Sequence, residues 1–178
     1  MRIQTRLVQA LATGVAVTAL AASPPAVAAA GGDGDGWIPY HQEDIAYAAG
    51  EACDFPVTST VLEDREVYRE TYWPDGSVRT QTFRGTLVIL WTNTATGESV
   101  VRDQSGKATF EYADDGTLLS LTAQNGHFSA RLPAGSTPGQ GLFYVGGRDT
   151  SVTFNADGTR TLTLGPHGTS EDLCETLA

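Results

Sequence analysis

Residues 64–73 read DREVYRETYW and are followed by Pro74-Asp75-Gly76-Ser77, VRTQTF at 78–83 and TLVILWT at 86–92. In the first stretch Val67, Arg69, Thr71 and Trp73 alternate with Glu66, Tyr68, Glu70 and Tyr72, the period of two that a strand imposes on its faces. Pro-Asp-Gly-Ser is a turn by composition, and the chain then returns. The run 86–92 is apolar on both faces, which marks a central strand and leaves open which face points inward. Thr96-Gly97 closes the next hairpin. Further strands are expected at 99–103, 107–113, 117–123, 126–132, 141–146, 150–155 and 159–164. This pattern predicts an all-β fold, an antiparallel meander forming a small barrel, with a sandwich as the alternative.

Asp-Gly recurs at Asp75-Gly76, Asp115-Gly116 and Asp157-Gly158, each followed by Ser or Thr and a β-rich run. Three copies are too few for a propeller of the usual ~4–8 blades, so repeated hairpin chemistry is the better account. Helix is scarce. Residues 40–51 (YHQEDIAYAAGE) predict a short one, with Ile45 and Ala48–Ala49 facing the body and Gly50 near its end. At the other end Ser170, followed by Glu171 and Asp172, reads as an N-cap for a last turn over 170–177. Residues 133–141 (PAGSTPGQG) read as an exposed loop.

Arg2 and Arg6, the apolar run 7–22 and the small residues through Ala30 have the form of an export signal. Cleavage sites fit after Ala28 and after Ala30. The run is interrupted by Gln9, Thr13, Gly14 and Thr18 and is shorter than the ~20 apolar residues of a membrane span, so no stable membrane anchor is expected. The expected organisation is a signal peptide at 1–30, a leader and short helix at 31–52, and a single β domain at 53–178, secreted to the extracellular space. Loss of Arg2 and Arg6 leaves nine basic against 21 acidic residues, a net charge of −12. Such a surface repels phosphates, which excludes nucleic acid as a partner.

The two cysteines, Cys53 and Cys174, flank the β region. In an oxidising compartment they most simply form one structural bridge, whose long loop the chain-entropy model values at about 5 kcal/mol. Redox chemistry would want closer spacing.

No motif names a reaction. Asp33-Gly34-Asp35-Gly36 opens like a calcium loop but has Trp37 and Ile38 where an oxygen ligand and glycine belong. His41, His127 and His167 lie on separate segments without zinc spacing. Asn125-Gly126-His127 starts a strand and could aim His127 into a barrel mouth, although a hairpin Asn-Gly explains it equally well. There is no Gly-x-Ser-x-Gly, and Ser136 lies in a loop. Glu66 and Glu70 read as solvated sheet residues beside Tyr68 and Tyr72. The aromatic residues Tyr68, Tyr72, Trp73, Trp91, Phe110, Tyr112, Phe128, Phe143, Tyr144 and Phe154 fill a core or line a pocket. No catalytic residue, metal site or cofactor is assigned.

Cys53-x-Phe55-Pro56-Val57, the Asp-Gly hairpins, Asn125-Gly126-His127 and the terminal Asp172-Leu173-Cys174 resemble small secreted actinobacterial proteins of unknown function, over roughly residues 50–178. The resemblance implies a secreted, disulfide-closed, β-barrel-like domain and carries over no catalytic residue. Three functional readings follow. The first is a non-catalytic domain that binds a small apolar ligand inside the barrel. A second is a cavity-type enzyme of cyclase or isomerase kind, with polar residues such as His127 or Arg69 converging in a pocket. The third is an extracellular interaction or inhibitor protein that meets its protein partner through loop 133–141.

Overall fold

A computed structural model describes residues 36–178. The signal and most of the leader, including Asp33 and Asp35, lie outside the described residues. The described chain forms the strands β1 (Ile38–Tyr40), β2 (Ala46–Tyr47), β3 (Val57–Tyr72), β4 (Val78–Asn93), β5 (Ser99–Asp103) and β6 (Gly106–Tyr112). It continues with β7 (Leu118–Leu132), β8 (Gly141–Gly146), β9 (Ser151–Phe154), β10 (Arg160–Thr163), β11 (Thr169–Asp172) and one helical turn, α1 (Leu173–Thr176). Every pairing between these strands is antiparallel.

The frame is the hairpin of β3 and β4, paired from Val57 opposite Asn93 to Tyr72 opposite Val78. β4 is central: β3 lies on one side, with β5 and β6 in succession on the other. Its inward face is Leu87, Ile89 and Trp91, all buried. The three Asp-Gly turns share one construction. Trp73 N–H donates to Ser77 O, Ala113 to Thr117 O and Asn155 to Thr159 O, while the Asp75, Asp115 and Asp157 carboxylates each accept the N–H two residues on. The following glycines take φ near +90°, the conformation such hairpins require.

Three other glycines set the shape. Gly85 pairs with Gly106 and Gly106 with Gly126, a row across β4, β6 and β7. Their φ values are +145°, +155° and +77°. A Cβ on them would stand 2.3 Å from Arg65 O, 2.5 Å from Asn125 O and 2.0 Å from Ser105 O, so backbone touches backbone along this line. The strands bend there instead of ending. Consequently 78–83 and 86–92 are one strand, and Asn125-Gly126 is a corner within β7 and not a hairpin. Before the corner β7 pairs with β6 and β9; after it, from His127 to Leu132, it pairs with β8. Strands that turn a corner in this way carry one sheet over onto itself.

Two cores result. The first joins Val57, Leu87, Ile89 and Trp91 to Leu142, Leu173, Leu177 and the Cys53–Cys174 bridge. The second joins Leu121, Ala123 and Val152 to Phe128, Ala130, Leu132, Phe143 and Val145. β8 feeds both, Leu142 to one and Phe143 to the other, because alternate residues face opposite ways.

The structure departs from the sequence reading in three further elements of the fold. Residues 40–51 form no helix: β1 and β2 pair with β3 instead. Side chains of β3 capture the N–H groups a helix would need, Asp64 accepting from Gln42 (2.7 Å) and Ser59 Oγ from Ile45 (2.7 Å). The barrel is not closed by backbone hydrogen bonds; the path runs β1-β3-β4-β6-β7-β8-β11 with free ends. The corner carries β7 away from β5, and side chains cross the gap, with Arg102 paired to Glu171 and Tyr144 donating to Asp103 O (2.6 Å). At the C-terminus the cap is Asp172, which accepts from Cys174 N–H (2.8 Å), while Ser170 lies in β11.

The corner glycines and the hairpin glycines respond differently to a methyl group. Gly106→Ala meets backbone and is expected to cost at least about 3 kcal/mol. Gly116→Ala meets open space and pays only its dihedral, about 1 kcal/mol. Urea unfolding of the two variants checks the difference, and equal losses would contradict the role of the corner.

Candidate functional site

The folded-over sheet leaves space between its layers. A cavity of about 190 Å³ lies beneath the glycine corner, walled by Phe83, Leu87, Ala108, Phe110, Leu121 and Phe128, with Glu66, Lys107 and His127 as its titratable positions and Tyr40, Gln42, Gln104, Asn125 and Ser129 as further polar ones. A second, of about 530 Å³ and open to solvent, is bordered by Tyr47, Phe110, Leu121, Ser129, Arg131, Val152, Phe154 and Arg160. A third, of about 100 Å³, is bordered by Gln42, Tyr47, Trp91, Gln104, Ser129, Arg131 and Leu142. The three adjoin: Phe110 and Leu121 border the first two, Gln42 and Gln104 the first and third, and Ser129 all three.

Ser129 reaches this junction because β7 alternates, sending Phe128 and Ala130 into the second core and Ser129 and Arg131 to the other face. Gln104 is placed by the break between β5 and β6, where its Oε1 accepts from Ser129 N–H at 3.0 Å. Among the described residues the buried Gln104 Nε2, Ser129 Oγ and Trp91 Nε1 have no hydrogen-bond partner. An unpaired buried polar group typically costs about 1–3 kcal/mol. All three belong to residues bordering these cavities, although the atoms themselves are buried in the packing around them.

Glu66 is the acidic group of the first cavity. Burial and the neighbouring Asp64 charge push its carboxyl from 4.5 up to about 7. Asp64 is itself fixed by the N–H groups of Gln42 and Glu66. The aromatic rings beside it form a chain: Tyr40 stands edge-on to Phe83 at 5.0 Å, Tyr68 stacks on Phe83 at 5.5 Å, and Phe83 meets Phe110 edge-on at 5.5 Å. These rings also border an outer groove of about 470 Å³ that shares Tyr40, Phe83 and Phe110 with the cavity.

The structure separates the residues singled out from sequence. His127 borders the first cavity, stacked on Tyr144 at 4.9 Å and lying over Gly146, where any Cβ would collide with the ring. His41 is exposed beside Asp64 at 3.6 Å, and His167 is exposed with φ of +60°. Among the described residues no group of three His, Cys, Asp or Glu side chains is arranged to hold a metal. Arg69 does not enter the pocket: it is exposed, with its guanidinium 4.9 Å from the Trp37 ring. Glu70 bonds Gln81 and Tyr72, whereas Glu66, read as solvated, lines the interior. Loop 133–141 is pinned, with Ser136 buried and Thr137 exchanging hydrogen bonds with Arg160 O and Leu162 N–H. Cys53 and Cys174 are bonded as expected.

The sequence reading missed Gln104, Ser129, Arg131 and Arg160. Arg131 had a signal, a single charge in the otherwise apolar alternation of FSARL at 128–132. Gln104 and Ser129 had none, since only their long-range placement brings them to the interior.

No protein-family model, no curated protein and no solved structure matches this chain. Among the described residues no helix is long and apolar enough to cross a membrane.

Glu66 makes stability depend on pH in a defined direction. Its folded value lies above its unfolded one, so the folded state prefers the protonated acid; this contribution is full below about pH 4.5 and is lost as pH rises through about 7. Glu66→Gln is therefore expected to gain about 1–2 kcal/mol over the parent at pH 8.5, allowing for the solvent that still reaches the group, and nothing at pH 4. Denaturant midpoints at the two pH values check this; a gain of equal size at both would contradict it.

Proposed function

We propose that this chain is an extracellular, non-catalytic β domain that holds a small, largely apolar ligand between its layers, and that it is of one kind with the small secreted actinobacterial proteins it resembles. The observation that carries the reading is the set of three neighbouring hollows that share Ser129 and are walled largely by apolar side chains, with a few polar ones among them. Ligand sites are characteristically apolar hollows with a few convergent polar groups, and these walls have that composition. The Cys53–Cys174 bridge supports an oxidising location.

A neutral environment-sensitive probe, N-phenyl-1-naphthylamine, tests the reading. We expect saturable 1:1 binding, weakened about tenfold or more by Ser129→Leu, which fills the junction, with the fold retained by circular dichroism. Absence of saturable binding to the parent protein would sink the proposal.

Glu66 favours a second reading, an enzyme of cavity type. A carboxyl that titrates near neutrality in an apolar site is suited to general acid–base work. Deuterium exchange into the α-positions of cyclohexanone, followed by NMR in D2O, probes it. Saturable exchange above buffer that disappears in Glu66→Gln supports the enzyme; exchange no faster than buffer at all pH values counts against it.

A further inference from the structure

Arg131 and Arg160 are at odds with the composition around them. The whole chain carries 21 acidic residues against 11 basic ones, so a guanidinium has acidic partners in excess. Among the described residues Arg65 and Arg102 take them, as Arg65–Glu63 and Arg102–Glu171, while Arg69, Arg79 and Arg148 form no ion pair but stand exposed to water. Arg131 and Arg160, from β7 and the start of β10, are half-buried at the second cavity, and neither is ion-paired.

What they do contact leaves most of their donors unused. Arg131 Nη1 donates to Glu51 O at 3.2 Å, and Arg160 Nη1 donates to the backbone carbonyl of Arg131. Arg131 stands 5.7 Å from the Tyr47 ring and Arg160 4.8 Å from the Phe154 ring. A guanidinium has five N–H donors, so each keeps several for a guest. The two cations act on one another and on Tyr47: burial and then the Arg131 charge press Arg160 towards a lower pKa, and both arginines draw down a Tyr47 hydroxyl that burial raises. Glu51 also borders this cavity, but its carboxylate caps the Ala48 N–H at 2.7 Å and is ion-paired with neither arginine. Two like charges held together and partly out of water are costly until an anion joins them.

The remaining wall of the same cavity is apolar, with Phe110, Leu121, Val152 and Phe154, and it adjoins the first cavity through Phe110 and Leu121. A cationic end and an apolar run therefore lie in succession. We infer that Arg131 and Arg160 anchor the head of an anionic amphiphile, a carboxylate on an apolar chain, whose body occupies the interior cavities. This assignment rests on the ligand-binding reading above and specifies its ligand class. Paired guanidiniums suit a carboxylate because their planar N–H forks match its two oxygens. The Tyr47 hydroxyl adds a further donor beside them.

Isothermal titration of the secreted protein with dodecanoate, dodecan-1-ol and dodecyltrimethylammonium tests the assignment, because the three share a chain and differ in the head. Dodecanoate is expected to bind about tenfold or more tighter than the alcohol, with the cation weakest. Arg131→Gln and Arg160→Gln are each expected to remove most of that preference. Should either variant lose its fold, the head-group series on the parent protein still decides. Equal affinity for acid and alcohol, or preference for the cation, overturns the anchor and leaves the cavity reading standing. Binding of none of the three, together with failure of the neutral probe, overturns both.

Discussion

Backbone contact along Gly85, Gly106 and Gly126 is the constraint on which the rest of the molecule depends. A side chain at any of these positions would force neighbouring strands apart at the line where they must bend most sharply. With the bend, β7 serves in two layers: its first half lies beside β6, its second half beside β8. The same bend separates β5 from the second half of β7 and so opens the interior that Gln104 and Ser129 face. Fold and hollow thus have a common cause, close approach of main chain at three residues that are distant in sequence.

The terminal elements pack on the first core. α1 carries Cys174 and, with Leu173 and Leu177, completes the first core, while Asn93 donates a buried hydrogen bond to Leu177 O at 2.9 Å. The disulfide, with a sequence separation of 121, joins this helical turn to the segment that enters β3. Its stabilising effect falls on the unfolded chain, but its placement also holds the first core against the sheet at the point where hydrogen bonding between layers stops. Polar groups are distributed unevenly within. Glu66 lies under the corner in a setting that favours its neutral form, with Lys107 bordering the same cavity, and two arginines lie at the second hollow.

Features set by local chemistry were legible in the sequence. Asp-Gly turns, the alternation of 64–73 and the central run 86–92 each report on a few neighbouring residues, and each appears where it was read. The bridge was legible because only two cysteines exist. The corner was not: Gly85 and Gly126 look like strand breaks until their register opposite Gly106 is known, and that register is a long-range property. For the same reason Asn125-Gly126 passed for a hairpin. The helix expected at 40–51 failed because acceptors on β3, far along the chain, compete for its N–H groups. Glu66 shows the limit for the site, since alternation placed it on a face but could not say that this face was the inner one.

The three Asp-Gly tips have a practical side. Gly76, Gly116 and Gly158 have no atom within 4 Å of where a side chain would begin, and Trp73 Nε1 bonding to Tyr112 O shows that the first two turns sit side by side. Pairing of β9 with the start of β7 brings the third to the same rim. That rim is a set of nearly equivalent attachment points, remote from the disulfide-bound end. Fluorophores, epitope tags or a second domain could be spliced there without touching either core, and pairs of labels would serve as rulers for any breathing of the layers when the interior fills.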